Sequence, residues 1–353
     1  MRPLNVFQSW GKVLAGKIPM LSIEVTRECP LRCPGCYAYG DSHLGEGGPN
    51  LRSLSDYRGD DLVDGIFRLV EEHQPLQISL VGGEPLMRHR ELSRVIPELS
   101  RRGIYTLVVT SGVIPIPQVW CSLPRVTVAV SVDGNPEDHD LRRAPATYDR
   151  ILRNIEDRIV NIHWTVVRNN VEQPGYMDRY LSFWNAQAEV NRIWVSVYTP
   201  QLNEESPERL TFENRKELAR FFTTSGARYS KLSMHRGLMN AFMSPPESPA
   251  SCLFSTLSVN YTADLHTRVE PCVFGGSPNC AECGCSISMG LHWLGEVNVV
   301  KPLKARHLIR GSLAIGRAVN RMRREDRDLR WNGEVYAKQR LSSNSEDLVQ
   351  IDK

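Results

Sequence analysis

RECPLRCPGCYAYG, residues 27–40, sets Cys29, Cys33 and Cys36 within eight positions and follows them at once with an aromatic, Tyr37. Structural zinc sites and most iron–sulfur sites take four ligands. Three thiols on one loop therefore predict a metal centre with one position left for a reactant, as catalytic zinc sites also keep one open. Pro34-Gly35, between the last two cysteines, permits the bend that lets so short a loop wrap three corners of one cluster. On spacing alone, a structural zinc site drawing a distant fourth ligand stays open as the alternative.

The chain around that loop repeats one pattern. Apolar, β-branched runs bounded by turn residues occur at 21–25, 77–83, 105–112, 126–134, 162–170 and 193–200, six predicted strands. Helical periodicity fills most of the gaps, as in DDLVDGIFRLVEEH and RELSRVIPELSRR. The link from the third run to the fourth is short and Pro-rich, a poor setting for a helix. Apolar strands alternating with helices predict an α/β fold, a parallel sheet closed or partly closed as a β/α barrel, with its chemistry at the carboxyl ends of the strands. The unusual clusters fall at such ends. The cysteines follow the first strand, Gly82-Gly83-Glu84-Pro85 the second, Thr110-Ser111-Gly112 the third and Ser131-Val132-Asp133-Gly134 the fourth. Taken singly, each is an ordinary turn; with the cysteines they converge on one mouth.

Composition narrows the class. At 353 residues, 41% apolar and 24% charged, the chain can bury a large core. Nothing near Met1 has the pattern of a signal peptide, and no apolar run approaches the roughly 18 residues needed to cross a bilayer, so a cytoplasmic location is expected. In a reducing compartment, nine clustered cysteines point to metal or redox work, not disulfides. Eight of the nine fall in two groups, 29–36 and 252–285, and Cys121 stands apart as a small buried side chain.

The order Cys29-x3-Cys33-x2-Cys36-Tyr37, then GGEP, then TSG, resembles the radical S-adenosylmethionine (radical SAM) superfamily over roughly residues 20–200. The resemblance implies a partial six-stranded (β/α) barrel of TIM-like form and a [4Fe–4S] cluster whose fourth iron binds SAM. It also implies roles. Gly82, Gly83 and Glu84 would receive the SAM amino group, a cation with donors only. Tyr37 would lie against the adenine, Ser111 would meet a ribose oxygen, and Ser131 and Asp133 would face the ribose or the reactive carbon. His139, Asp140 and Arg143 match a motif near the SAM site in a subgroup with additional clusters, and equally fit a helix-start salt bridge. A reducing donor such as flavodoxin or ferredoxin would serve the cluster, and no nucleic-acid partner is expected.

The carboxyl-terminal cysteines extend the resemblance. TLSVNYTADLHTRVEPC reads as a hairpin turning at 263–265, and Cys252, Cys272, Cys280, Cys283 and Cys285 gather around it. The segment resembles a SPASM or twitch domain but has five cysteines where the full form has seven, enough for one auxiliary [4Fe–4S] cluster. Cys252, Cys272, Cys280 and Cys283 are the expected ligands, with Cys285 a spare and zinc the alternative metal. The expected layout is a lead-in over 1–20, a barrel over 21–235, an auxiliary segment over 236–300, a basic helical segment over 301–340 and a disordered tail over 341–353. From Lys301 to Arg324 there are eight Lys or Arg and no acid. Ile315, Val319 and Met322 share one helical face, and Arg317, Arg321 and Arg324 another, which suits either a solvated helix or a peripheral contact with the inner membrane surface. Three uses follow: hydrogen abstraction from a small metabolite or lipid, modification of a peptide, or a non-catalytic zinc-binding or electron-transfer role.

Overall fold

The computed structural model describes residues 3–45 and 48–322. Residues 18–306 form one compact unit, and 3–17 with 307–322 form another.

Within 18–306 the six expected strands form as β1 (Met20–Glu24), β2 (Gln77–Val81), β3 (Tyr105–Thr110), β4 (Val126–Ser131), β5 (Val160–Val166) and β6 (Val190–Val197). A seventh, β7 (Ser258–Tyr261), joins them, and the parallel sheet runs β6-β5-β4-β3-β2-β1-β7. This departs from the six-stranded count. The hairpin expected at TLSVNYTADLHTRVEPC is present in short form, with Tyr261 bridged antiparallel to Arg268 and the Val269 N–H donating to the Asn260 carbonyl at 3.0 Å. Its first arm, however, also pairs in parallel with β1, from Met20 beside Ser258 to Ile23 beside Tyr261. A strand from the segment 236–300, expected as auxiliary, thereby extends the same parallel sheet.

Register divides the sheet into two unlike faces. Ile23, Leu80, Val108, Val130, Ile162 and Trp164 lie on the outer face, buried to 0% exposure. Helices cover them. Gly59–His73 buries Leu62, Ile66 and Leu69, and His89–Arg101 buries Leu92, Val95, Ile96 and Leu99, the spacing of a single helical stripe. On the inner face the neighbours in register are polar: Ser22 beside Ser79 and Asn260, Ser131 beside His163, and Thr165 beside Ser196. The doubtful link between β3 and β4 does hold a helix, Gln118–Ser122. Trp120 is its anchor, fully buried with its indole N–H donating to Ser93 Oγ at 3.2 Å, and this one large side chain outweighs the surrounding prolines.

In the second unit, residues 307–322 are helical. Gly316 and Gly16 let this helix and the end of the helix Pro3–Leu14 touch at backbone distance. A Cβ on Gly316 would come 2.3 Å from the Gly16 nitrogen, and the Asn320 amide donates to the Ala15 carbonyl at 2.7 Å. Leu313 is buried, while Ile315, Met322, Arg317 and Arg321 are exposed. Arg324 and the tail 341–353 lie outside the described residues. No helix among the described residues is long and apolar enough to cross a membrane.

Candidate active site

The exits of β1 and β2 are welded together by glycine. Gly82 has φ +97°, and a Cβ there would sit 2.6 Å from Glu24 Cα; one on Gly83 would sit 2.2 Å from the Glu28 carbonyl oxygen. Only glycine allows this approach. The Gly83 N–H then donates to the Thr26 carbonyl at 2.9 Å and the Glu84 N–H to the Glu28 carbonyl at 2.7 Å, which fixes the start of the cysteine loop. Arg88 adds an ionic clamp behind it, buried and paired with Glu28 at 2.9 Å and Asp56 at 2.6 Å. Asp56 also accepts from the Thr26 hydroxyl at 2.9 Å.

Cys29 and Cys33 pack against Leu31, Val113 and Ala146, while Cys36 packs against Ala38, Leu51 and Ala263. None is in a disulfide. The Leu31 N–H points at Cys29 Sγ, 3.4 Å away, the kind of donor that stabilises a thiolate. Burial pushes the Cys29 thiol up to about 11 and raises Cys36 as well, so unliganded they are protonated and metal loading releases protons. Three soft donors, apolar walls and an N–H donor fit an iron–sulfur cluster.

Around them stand the other expected residues. The Asp133 carboxylate is buried; burial opposes its charge, but Arg143 at 2.7 Å and Arg142 at 3.2 Å hold its carboxyl down at about 2. Arg143 is also near enough to Cys33 and Cys36 for their charges to act on it. His139 and Asp140, from the same motif, hold the backbone. His139 Nδ1 accepts the Asp133 N–H at 3.1 Å while Nε2 faces the Ala146 carbonyl at 2.7 Å, and Asp140 accepts the Tyr148 N–H at 2.8 Å. Arg143 alone of the three reaches the cysteines. Ser111 donates to Glu84 through both N–H (2.8 Å) and hydroxyl (2.5 Å), and Ser131 lies buried on the inner face. The Tyr37 ring meets Phe274 edge-on at 5.3 Å and His43 at 5.8 Å. It lies within electrostatic reach of Cys36 and of Cys285 and Cys272, members of both cysteine groups.

Cys252, Cys272, Cys280, Cys283 and Cys285 all line one cavity, with Phe254 and Phe274 in its walls. Cys285 is not set apart from the other four. Burial pushes Cys280 up to about 11 and Cys285 up to about 12. Among the described residues, no three His, Cys, Asp or Glu side chains converge tightly enough to hold one metal ion.

Two features had escaped the sequence reading. Glu24, the last residue of β1, is buried and pairs with buried His43, whose Nε2 lies 2.7 Å from Glu24 Oε1. Along β7 and just beyond it, Ser258 Oγ, Asn260 Oδ1 and Thr262 Oγ1 are buried without partners, as is Glu24 Oε2. The signal was available: an acid ending the apolar run LSIEV, and polar residues at every second position of SVNYT. Nothing in the sequence singles out His43.

Burial also shifts a histidine on the inner face. Burial pushes His163 down to about 4, so the folded protein holds it neutral. An unfolded chain protonates histidine near pH 6.5, so between those values the unfolded state binds the extra proton and stability falls as pH falls from about 6.5 toward 4. At about 1.4 kcal/mol per pH unit the loss is on the order of 2–3 kcal/mol. Urea unfolding at neutral and acidic pH should show it, and His163→Gln should flatten that part of the slope; an unchanged slope would count against the assignment.

Comparison with known proteins adds family to geometry. Residues 23–162 match the model of the radical SAM superfamily. The chain is 26% identical over 213 residues to an AdoMet-dependent heme synthase of Oleidesulfovibrio alaskensis, covering 58% of this chain and 52% of that protein. It is 29% identical over 172 residues to an Fe-coproporphyrin III synthase of Methanosarcina barkeri, covering 46% and 41%. The chain thus spans about half, or less, of the length of these curated relatives. Among solved structures, Streptococcus suis SuiB bound to precursor peptide SuiA is similar in fold over 85% of this chain and 70% of that one, at 12% identity and a TM-score of 0.55.

Proposed function

The chain belongs to the radical SAM superfamily, and from that premise we propose that Cys29, Cys33 and Cys36 hold a [4Fe–4S] cluster with SAM on its open iron. Bound there, the cluster and SAM would supply reductive cleavage to methionine and a 5′-deoxyadenosyl radical that takes hydrogen from a substrate. The chain's own part is to orient and to exclude water. Gly82 and Gly83 bring the second turn against the cysteine loop, Arg143 sets a cation beside two of the thiolates, and Asp133 keeps that arginine in place. The observation that carries this reading is three free thiols on one loop, within electrostatic reach of one another, beside the glycine weld at adjoining strand ends. Anaerobically reconstituted protein with dithionite and SAM should yield 5′-deoxyadenosine and methionine in equal amounts; a fully loaded protein that leaves SAM intact would sink the proposal.

For the substrate we favour a small polar metabolite over a lipid. The inner face is polar, and three of its buried atoms, Ser258 Oγ, Asn260 Oδ1 and Thr262 Oγ1, have no protein partner, which an apolar chain would leave unsatisfied at a cost of about 1–3 kcal/mol each. A peptide, whose backbone amides could meet the same atoms, is the second reading. The distal cavity we assign to an auxiliary [4Fe–4S] cluster on Cys252, Cys272, Cys280 and Cys283, with Cys285 a possible substitute. Support comes from the five thiols lining one cavity, enough for the four corners of a cluster, and zinc is the alternative metal. Flavodoxin or ferredoxin would be the electron donor.

A peripheral membrane contact is a separate proposal. Ile315 and Met322 are exposed on a helix that also exposes Arg317 and Arg321. Each arginine near anionic lipid contributes about 1 kcal/mol, and the effect is screened by salt. The protein should co-sediment with anionic but not neutral vesicles at low ionic strength, and Arg317→Glu with Arg321→Glu should abolish this without altering SAM cleavage. Absence of binding at low salt would leave the helix a solvated element.

A further inference from the structure

The carboxylate of Glu84 is already full. Oε1 accepts from the Leu86 N–H at 3.0 Å and the Thr110 hydroxyl at 2.5 Å, and Oε2 accepts from the Ser111 N–H at 2.8 Å and the Ser111 hydroxyl at 2.5 Å. A carboxylate offers about four acceptor sites. Glu84 therefore acts as a strap between the turns after β2 and β3, and an ammonium could reach it only by displacing one of these donors. The residue beside it is in the opposite condition. Glu24 lies against Gly82, is 3% exposed, and uses Oε1 for His43, while Oε2 is buried with no partner. His43 is itself fixed from its other nitrogen, where Nδ1 lies 3.0 Å from the Phe274 carbonyl oxygen. A buried carboxylate oxygen held open in this way is costly unless a ligand donor fills it.

Resting on the SAM reading above, we propose that Glu24, not Glu84, accepts the α-ammonium of SAM through Oε2, and that His43 is a positioning residue that turns the free oxygen toward the turn after β2. The backbone carbonyls of Gly82 and Gly83 remain available as further acceptors. Charge-assisted hydrogen bonds to a buried carboxylate are among the strong ones, so the consequence belongs in affinity.

Equilibrium dialysis of the anaerobically reconstituted full chain tests this with two probes, SAM and 5′-methylthioadenosine, which lacks the amino-acid half. Glu24→Gln should weaken SAM binding by roughly tenfold to a hundredfold and leave 5′-methylthioadenosine unchanged. His43→Leu should also weaken SAM, and His43→Gln, which restores an N–H donor at the same reach, should recover most of the loss. Retention of native SAM affinity by Glu24→Gln would overturn the inference, and so would equal losses for both probes, which would mean the site had collapsed. Failure of the unaltered, fully loaded protein to bind SAM would overturn the SAM reading itself and this inference with it.

Discussion

Cys33→Ser should lose 5′-deoxyadenosine formation altogether, at least a hundredfold below the unaltered protein, while the barrel stays folded. Each of the three thiolates would hold its own iron, so no neighbour can substitute for the missing one. A serine hydroxyl is a hard, weakly acidic donor, poorly matched to a site selected by soft sulfur. The fold should survive because Cys33 lies outside the main core: it borders the small group of Leu31, Val113 and Ala146, and Cys-to-Ser conserves shape there. A melting temperature within a few degrees of the original, with product at background by chromatography, is the expected pair of results. Product formation above a few percent in the serine variant would show that Cys33 is not a ligand. Loss of product accompanied by unfolding would instead assign Cys33 a structural role, and Cys36→Ser, whose thiol packs against Ala38, Leu51 and Ala263 instead, would then separate the two effects.

The parts legible in the sequence were those governed by local rules. LSIEV, QISLV and YTLVVT announce strands because an apolar outer face and β-branched residues leave little other choice, and the cysteine loop and GGEP announce themselves by spacing. What was hidden depends on distant pairing. SVNYT looks like one arm of a hairpin, and locally it is, but its other edge meets β1 more than two hundred residues earlier, a partner no window of sequence can reveal. The same holds for His43, whose partners Glu24 and Phe274 are 19 and 231 residues away. Glu84 shows the reverse limit. Its motif advertises an acceptor, yet the chain's own Thr110 and Ser111 already occupy it. A motif gives the residue type; the neighbours decide how many of its lone pairs are free.

The distal cysteines provide the second large effect. When Cys29, Cys33 and Cys36 are all changed to Ala, the reconstituted protein should still carry about four iron and four sulfide per chain, with brown absorbance near roughly 400 nm. The reason is independence of site: the five distal thiols line a cavity that includes none of the loop cysteines. Tyr37, in edge-on contact with Phe274, lies within electrostatic reach of both groups, but the loop thiols supply no ligand and no wall of the distal cavity. Cys272, Cys280, Cys283 and Cys285 are all raised as thiols by burial, so loading must drive protons off and should be slower at acidic pH. Within the same triple-Ala background, Cys285→Ser should leave the residual iron, because four thiols remain for four corners, whereas Cys283→Ser combined with Cys285→Ser should remove it. Zinc in place of iron, or no metal at all in the triple variant, would remove the auxiliary cluster from the proposal. Loss of iron on Cys285→Ser with retention on another single change would keep the cluster and reassign its ligands.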